Sequence, residues 1–166
     1  INGELIDGEL KNSIDQTMLI LSKFANREEK VSTGSALSSA IKGAQQILKN
    51  RSMVFILSDF RTDDYEDNLA RLSQKHDVVA IRFTDANDFE LPDFGMVRVQ
   101  DPETNEEKTY PSFSSNFKRS WRENSNNALE RWKHMCKKNG VIPLVISTAD
   151  DPALRLSRFF AIKEKV

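Results

Sequence analysis

Asp59 closes the run "VFILSDF" (54–60), and it is the side chain whose position most suggests chemistry. A carboxylate is a hard oxygen ligand, able to hold Mg2+ directly or through water. At the carboxyl end of an apolar strand it also stands where open α/β sheets place their binding crevice. Four further acids follow, Asp63, Asp64, Glu66 and Asp67, and deepen the local negative potential. A plainer account makes those four the acidic start of the next helix, with Asp59 capping a loop. Residue types alone leave both accounts open.

The second candidate is "STGSALSSA" (32–40), where Ser32, Thr33 and Ser35 offer hydroxyl oxygens. Such oxygens suit a metal ion, a hidden nucleophile, or the capping of a helix whose first N–H groups lack partners. Serine without a base is a weak nucleophile, and neither His76 nor His134 falls in a supporting pattern. The chain has no G-x-S-x-G elbow and no G-x-x-x-x-G-K phosphate loop. Neither histidine has a second His or Cys at ligand spacing, which argues against zinc and makes both ordinary surface or boundary residues. Basic residues interleaved with Trp121 and Trp132 over 115–138 fit nucleic acid, or more simply a solvated face beside a core stripe.

A strand–helix alternation must position these groups. Leu10, Ile14, Met18, Leu21 and Phe24 have the spacing of an amphipathic helix, as do Leu37, Ile41, Ala44 and Leu48, with Thr33 or Ser35 as the cap of the second. "MVFILSD" reads as a strand covered on both faces, as in the middle of a sheet. Tyr65, Leu69 and Leu72 mark a short helix, and "DVVAIRFT" (77–84) a second apolar strand. Strand, helix, strand in so short a span is a βαβ unit, so the two strands are expected to be parallel. "MVRVQD" alternates like a half-exposed strand, and "KTYP" is expected to return as the other arm of a hairpin. A long helix over 115–138 places Phe117, Trp121, Ala128, Trp132 and Met135 on one stripe and ends at "NG". "VIPLVIST" (141–148) is a third apolar strand whose Pro143 argues for a sheet edge or a locally irregular pairing. Asp151 and Pro152 read as cap and first residue of a last helix carrying Leu154, Phe159 and Phe160.

The whole chain agrees with one α/β domain over 1–166. A net charge of −1 gives no electrostatic reason to expect nucleic acid or an anionic membrane. One cysteine, Cys136, excludes a bridge within the chain. The apolar runs fall short of the ~20 residues of a membrane helix, and no charged-then-apolar leader opens the chain, so the expected location is cytoplasmic.

Several of these features recur together in a known order. Ser58-Asp59-Phe60 ends one strand and His76-Asp77-Val78-Val79-Ala80 opens the next; Leu91-Pro92-Asp93 with Gly95, then Asp101-Pro102-Glu103-Thr104, follow. In this the chain resembles the bacterial family known as domain of unknown function fifty-eight, whose fold is similar to the von Willebrand factor A domain. The resemblance implies a mostly parallel, Rossmann-like sheet flanked by helices, with an inserted hairpin. It also implies a metal-ion-dependent adhesion site for Mg2+ or Mn2+. In such sites an Asp-x-Ser-x-Ser loop, a Thr and an Asp converge, and Thr33 and Asp59 resemble the second and third elements. No Asp-x-Ser-x-Ser occurs in the 166 residues, so the first strand is expected to precede residue 1 and the chain alone to bind metal weakly or not at all. The edge beside "VFILSD" is then expected to be open, favouring a homodimer across it or an N-terminal segment folded over it.

Members of this family are commonly encoded beside MoxR-type AAA+ ATPases. The resemblance therefore implies a non-enzymatic interaction domain, an adaptor for such an ATPase. The rival reading is a metal-dependent hydrolase or phosphotransferase using the acids from Asp59 to Asp67. That chemistry needs a second carboxylate on a neighbouring strand end, and Asp85 after "IRFT" is the candidate.

Overall fold

The computed structural model describes residues 18, 21–22, 36–93, 95–100 and 107–163. Within them lie α1 (Ala36–Ile47), β1 (Met53–Ser58), α2 (Glu66–Ser73), β2 (Asp77–Thr84), β3 (Met96–Gln100), β4 (Glu107–Pro111), α3 (Ser115–Lys138), β5 (Ile142–Ser147) and α4 (Pro152–Lys163). Of the helix expected over 10–24 only residues 18 and 21–22 are described, and these are helical; the caps at Thr33 and Ser35 fall outside the described residues.

β1, β2 and β5 form an all-parallel sheet in the order β1-β2-β5. The register sets Phe55 beside Val79 and Ala80 beside Pro143. β2 takes the centre because its "VVAI" stretch is buried on both faces, as a strand flanked on both sides by neighbours requires. Pro143 duly lies on an edge strand, where a missing backbone donor is tolerated. β3 and β4 pair separately as the antiparallel hairpin that the alternating sequence predicts. The fold is therefore α/β, an open parallel sheet flanked by helices.

The period of two along each strand divides the core. Val78 and Ala80 face α1, α2 and α3, joining Ile41, Leu69, Leu72, Trp132 and Cys136. Val79 and Ile81 face the other way, joining Ile146 and the Leu156 and Phe159 side chains of α4. α3 starts at Ser114, whose Oγ accepts the Phe117 N–H, and ends where Gly140 takes φ +70°. That left-handed residue closes the helix, with the Val141 N–H donating to the Cys136 carbonyl at 2.9 Å. Asp151 caps α4 by accepting the Ala153 and Leu154 N–H groups.

Two expectations need correction. β1 is not a mid-sheet strand covered on both faces: it forms an edge among the described residues. Its side chains alternate, leaving Met53, Phe55 and Leu57 46%, 38% and 57% exposed. A continuous apolar run fits that edge because α4 covers the second face only in part, through the Phe55–Phe160 ring contact. His76 is buried rather than superficial, with its Nδ1 accepting the Ser52 N–H at 3.3 Å. In α4, Phe159 packs inward, whereas Leu154 and Phe160 are largely open.

Candidate functional site

The carboxyl end of β1 is shaped by a sharp turn. Ser58 Oγ accepts the Phe60 N–H at 3.1 Å, and Asp59 Oδ1 accepts the Arg61 N–H at 3.3 Å. Side chains that bond backbone two residues onward are the usual means of starting such a turn. The turn forces Phe60 to φ +52°, the left-handed region, which costs a residue with a Cβ about 1–2 kcal/mol. Burial holds it there: the Phe60 ring packs 5.5 Å from Tyr65 and 5.2 Å from Trp132, centroid to centroid. With Phe60 turned inward, Asp59 is turned out to solvent, its carboxylate beside the Ser58 hydroxyl at 3.5 Å.

Ala36 and Leu37, the first residues of α1, line a cavity of about 430 Å3 together with Ser58 and Asp59. The start of α1 and the end of β1 thus share one side of the sheet. Thr33 itself lies outside the described residues. Among those residues, no three His, Cys, Asp or Glu side chains gather as a cation site. Mg2+ takes about six oxygens in near-octahedral array. The described residues do not make a complete Mg2+ or Mn2+ site.

The other strand ends carry acids already engaged in structure. Asp85 accepts the Asn87 N–H at 2.9 Å and the Thr148 hydroxyl at 2.6 Å, while Asp88 returns to the Asp85 N–H in a reciprocal cap. The Thr148 bond, then the Asn87 bond, holds the Asp85 carboxyl below its ordinary range. Asp150 is lowered in the same way, first by Arg155 and then by the Ser147 N–H. Asp88 pairs with Arg61. Glu66 and Asp67 occupy the first turn of α2, as the helix dipole favours.

A second, larger cavity of about 1260 Å3 opens on the other side of the 60–65 turn, bounded by α1, α2 and α3. Its wall includes Arg82, half-buried, whose guanidinium lies 5.6 Å from the centroid of the Trp132 ring. Arg82 Nε, Trp132 Nε1 and Thr62 Oγ1 are closed to solvent and have no hydrogen-bond partner. Each such group costs about 1–3 kcal/mol. Sequence reasoning passed over Arg82 and Thr62 and read Trp132 as part of a core stripe. The signal was the single cation in "DVVAIRFT", a charge inside an otherwise apolar strand.

No helix among the described residues is long and apolar enough to cross a membrane. An uncharacterized protein from Mycobacterium avium, MAV169, is 38% identical over 69 residues, a match spanning 41% of this chain and 41% of that protein. The matched part therefore covers less than half of that relative's length. No solved structure matches the chain at a significant level. The sequence profile of a larger group does match, over residues 11–131, which takes in α1, the β1 turn, the hairpin and most of α3. The chain belongs to the family described as protein of unknown function DUF58.

Proposed function

We propose that this chain is a non-enzymatic protein-docking domain, an adaptor for a MoxR-type AAA+ ATPase, with Asp59 at the docking contact. The observation that carries the reading is the outward presentation of Asp59 at a strand end, produced by the left-handed turn at Phe60. A residue held in a costly backbone conformation beside an exposed acid is a reasonable mark of a binding site. In the full-length protein, Thr33 and Asp59 would contribute oxygens to Mg2+ or Mn2+, and a carboxylate from the partner would complete the shell. The ATPase as partner rests on the family resemblance alone, which is association rather than mechanism. An enzymatic role is less supported, because Asp85, the second carboxylate it requires, is occupied in capping and in its bond to Thr148.

The test is titration of the full-length protein against its MoxR-type ATPase, in Mg2+ and in EDTA. Binding is expected in Mg2+, weakened in EDTA and abolished by Asp59→Ala. Binding indifferent to both changes would remove Asp59 and the cation from the proposal. Turnover of generic phosphate or carboxylate esters, lost in Asp59→Asn, would favour the enzyme instead.

A further inference from the structure

We infer that the cavity between α1, α2 and α3 binds an oxyanion, a phosphate or carboxylate group, with Arg82, Trp132 and Thr62 as its donors. The inference is independent of the docking proposal for Asp59. Its first support is that Arg82, Trp132 and Thr62 all line one cavity and each carries a buried polar atom with no hydrogen-bond partner among the described residues. Native proteins rarely leave buried polar atoms unpaired, and each case calls for an explanation. Arg82 Nε and Trp132 Nε1 are donors only, and the Thr62 hydroxyl can donate. A wall of donors is complementary to a ligand rich in lone pairs.

The second support is charge. Lys42, Arg71, Arg82 and Arg131 all line this cavity, and among the described residues none has a carboxylate within ion-pairing distance. Asp63, Asp64, Glu66 and Asp67 also line it, but all four are exposed. The half-buried cation is Arg82, whose desolvation is the main influence on its ionisation and opposes its charge. An anion at the inner wall relieves that penalty, and exposed acids at the rim do not compete for the same place. Guanidinium is also the side chain best shaped to hold carboxylate or phosphate by two parallel bonds. The Arg82 guanidinium lies 5.6 Å from the Trp132 ring centroid, so an anion held by Arg82 alters the surroundings of that indole.

That proximity gives the experiment its signal. Trp121→Phe removes the other indole, so the remaining fluorescence reports Trp132. Inorganic phosphate, and separately citrate, are titrated at constant ionic strength set with chloride. A saturable change is expected with at least one of them, and which one identifies the class of oxyanion. Arg82→Gln, checked for folding by circular dichroism, is expected to weaken it roughly tenfold or more. Thr62→Val is expected to weaken it less. No saturable change with either anion, or a change that survives Arg82→Gln, overturns the site. Failure of the unaltered protein to bind the ATPase, with this response intact, would count against the docking proposal alone.

Discussion

Asn68 Nδ2 donates to Ser38 Oγ at 2.7 Å, a buried hydrogen bond that ties α2 to α1. The Ser38 hydroxyl in turn donates to the Asp64 carbonyl at 2.9 Å, and Gln45 Nε2 reaches the Asn68 carbonyl at 2.6 Å. This chain of bonds also fixes Asp64, the second left-handed residue of the loop after β1, at φ +63°. Ser38→Ala strips a partner from both neighbours. The expected loss is about 1–3 kcal/mol by urea denaturation, with strong coupling to Asn68→Ala in a double-mutant cycle.

Phe60 sets an unusual order of substitutions. Alanine leaves a cavity between Tyr65 and Trp132 and keeps the backbone strain, so the expected cost is about 3–5 kcal/mol. Glycine leaves the same cavity but adopts the positive φ freely. Phe60→Gly is therefore expected to be the milder change, the reverse of the usual ranking at ordinary positions. Equilibrium unfolding of the two variants side by side checks it.

At low pH the strand-end carboxylates govern the response. Asp85 and Asp150 are held below the ordinary carboxylate value in the folded state, by Thr148 and by Arg155 respectively. Their contribution is thus complete above about pH 4 and is lost as pH falls through the depressed folded values. Thr148→Val removes the larger cause at Asp85. Its stability deficit is expected to be greatest near neutrality and to shrink on acidification, as pH-dependent melting curves will show.

At high pH the sign is opposite. Burial pushes the Cys136 thiol and the Tyr65 phenol each up to about 12. The unfolded chain releases these protons first, so stability is expected to decline from about pH 9 upward. The same burial shields the sulfur from reagents. Iodoacetamide at pH 8 is expected to label Cys136 only in denaturant, at the midpoint of global unfolding. Rapid labelling of the native protein would contradict the placement of Cys136 in the core.

The open side of β1 carries a prediction about association. Met53, Phe55 and Leu57 present an apolar face along an unpaired edge among the described residues. Leu57→Lys places a charge on that face, a common means of blocking edge-to-edge pairing. Sedimentation velocity is expected to show concentration-dependent self-association of the parent chain and a smaller species for the variant. Equal behaviour of the two would remove β1 as the contact.

Periodicity and punctuation made much of this fold legible from residues alone. The spacing of Leu37 and Ile41, the Asn139-Gly140 stop and the Asp151-Pro152 start each correspond to an observed helix or helix end. The parallel pairing of β1 and β2 followed from the length of their connection. What local pattern does not encode is which face of an apolar strand finds cover. "VFIL" reads the same at an edge as at the centre, and only tertiary packing distinguishes them. Asp59 was visible because acids at strand ends are conspicuous. Arg82 was not, since its meaning comes from Trp132, fifty positions away in the chain and 5.6 Å away in space.

Pro143 gives the sheet a direction of growth. On β5 it withholds a donor from any strand arriving beyond that rim, whereas the β1 rim has no proline to obstruct a newcomer. An added strand, whether more of the same polypeptide or another molecule, therefore meets no proline at the β1 rim. The Asp59 turn lies at the end of that receptive flank, so whatever adds there arrives beside the acid.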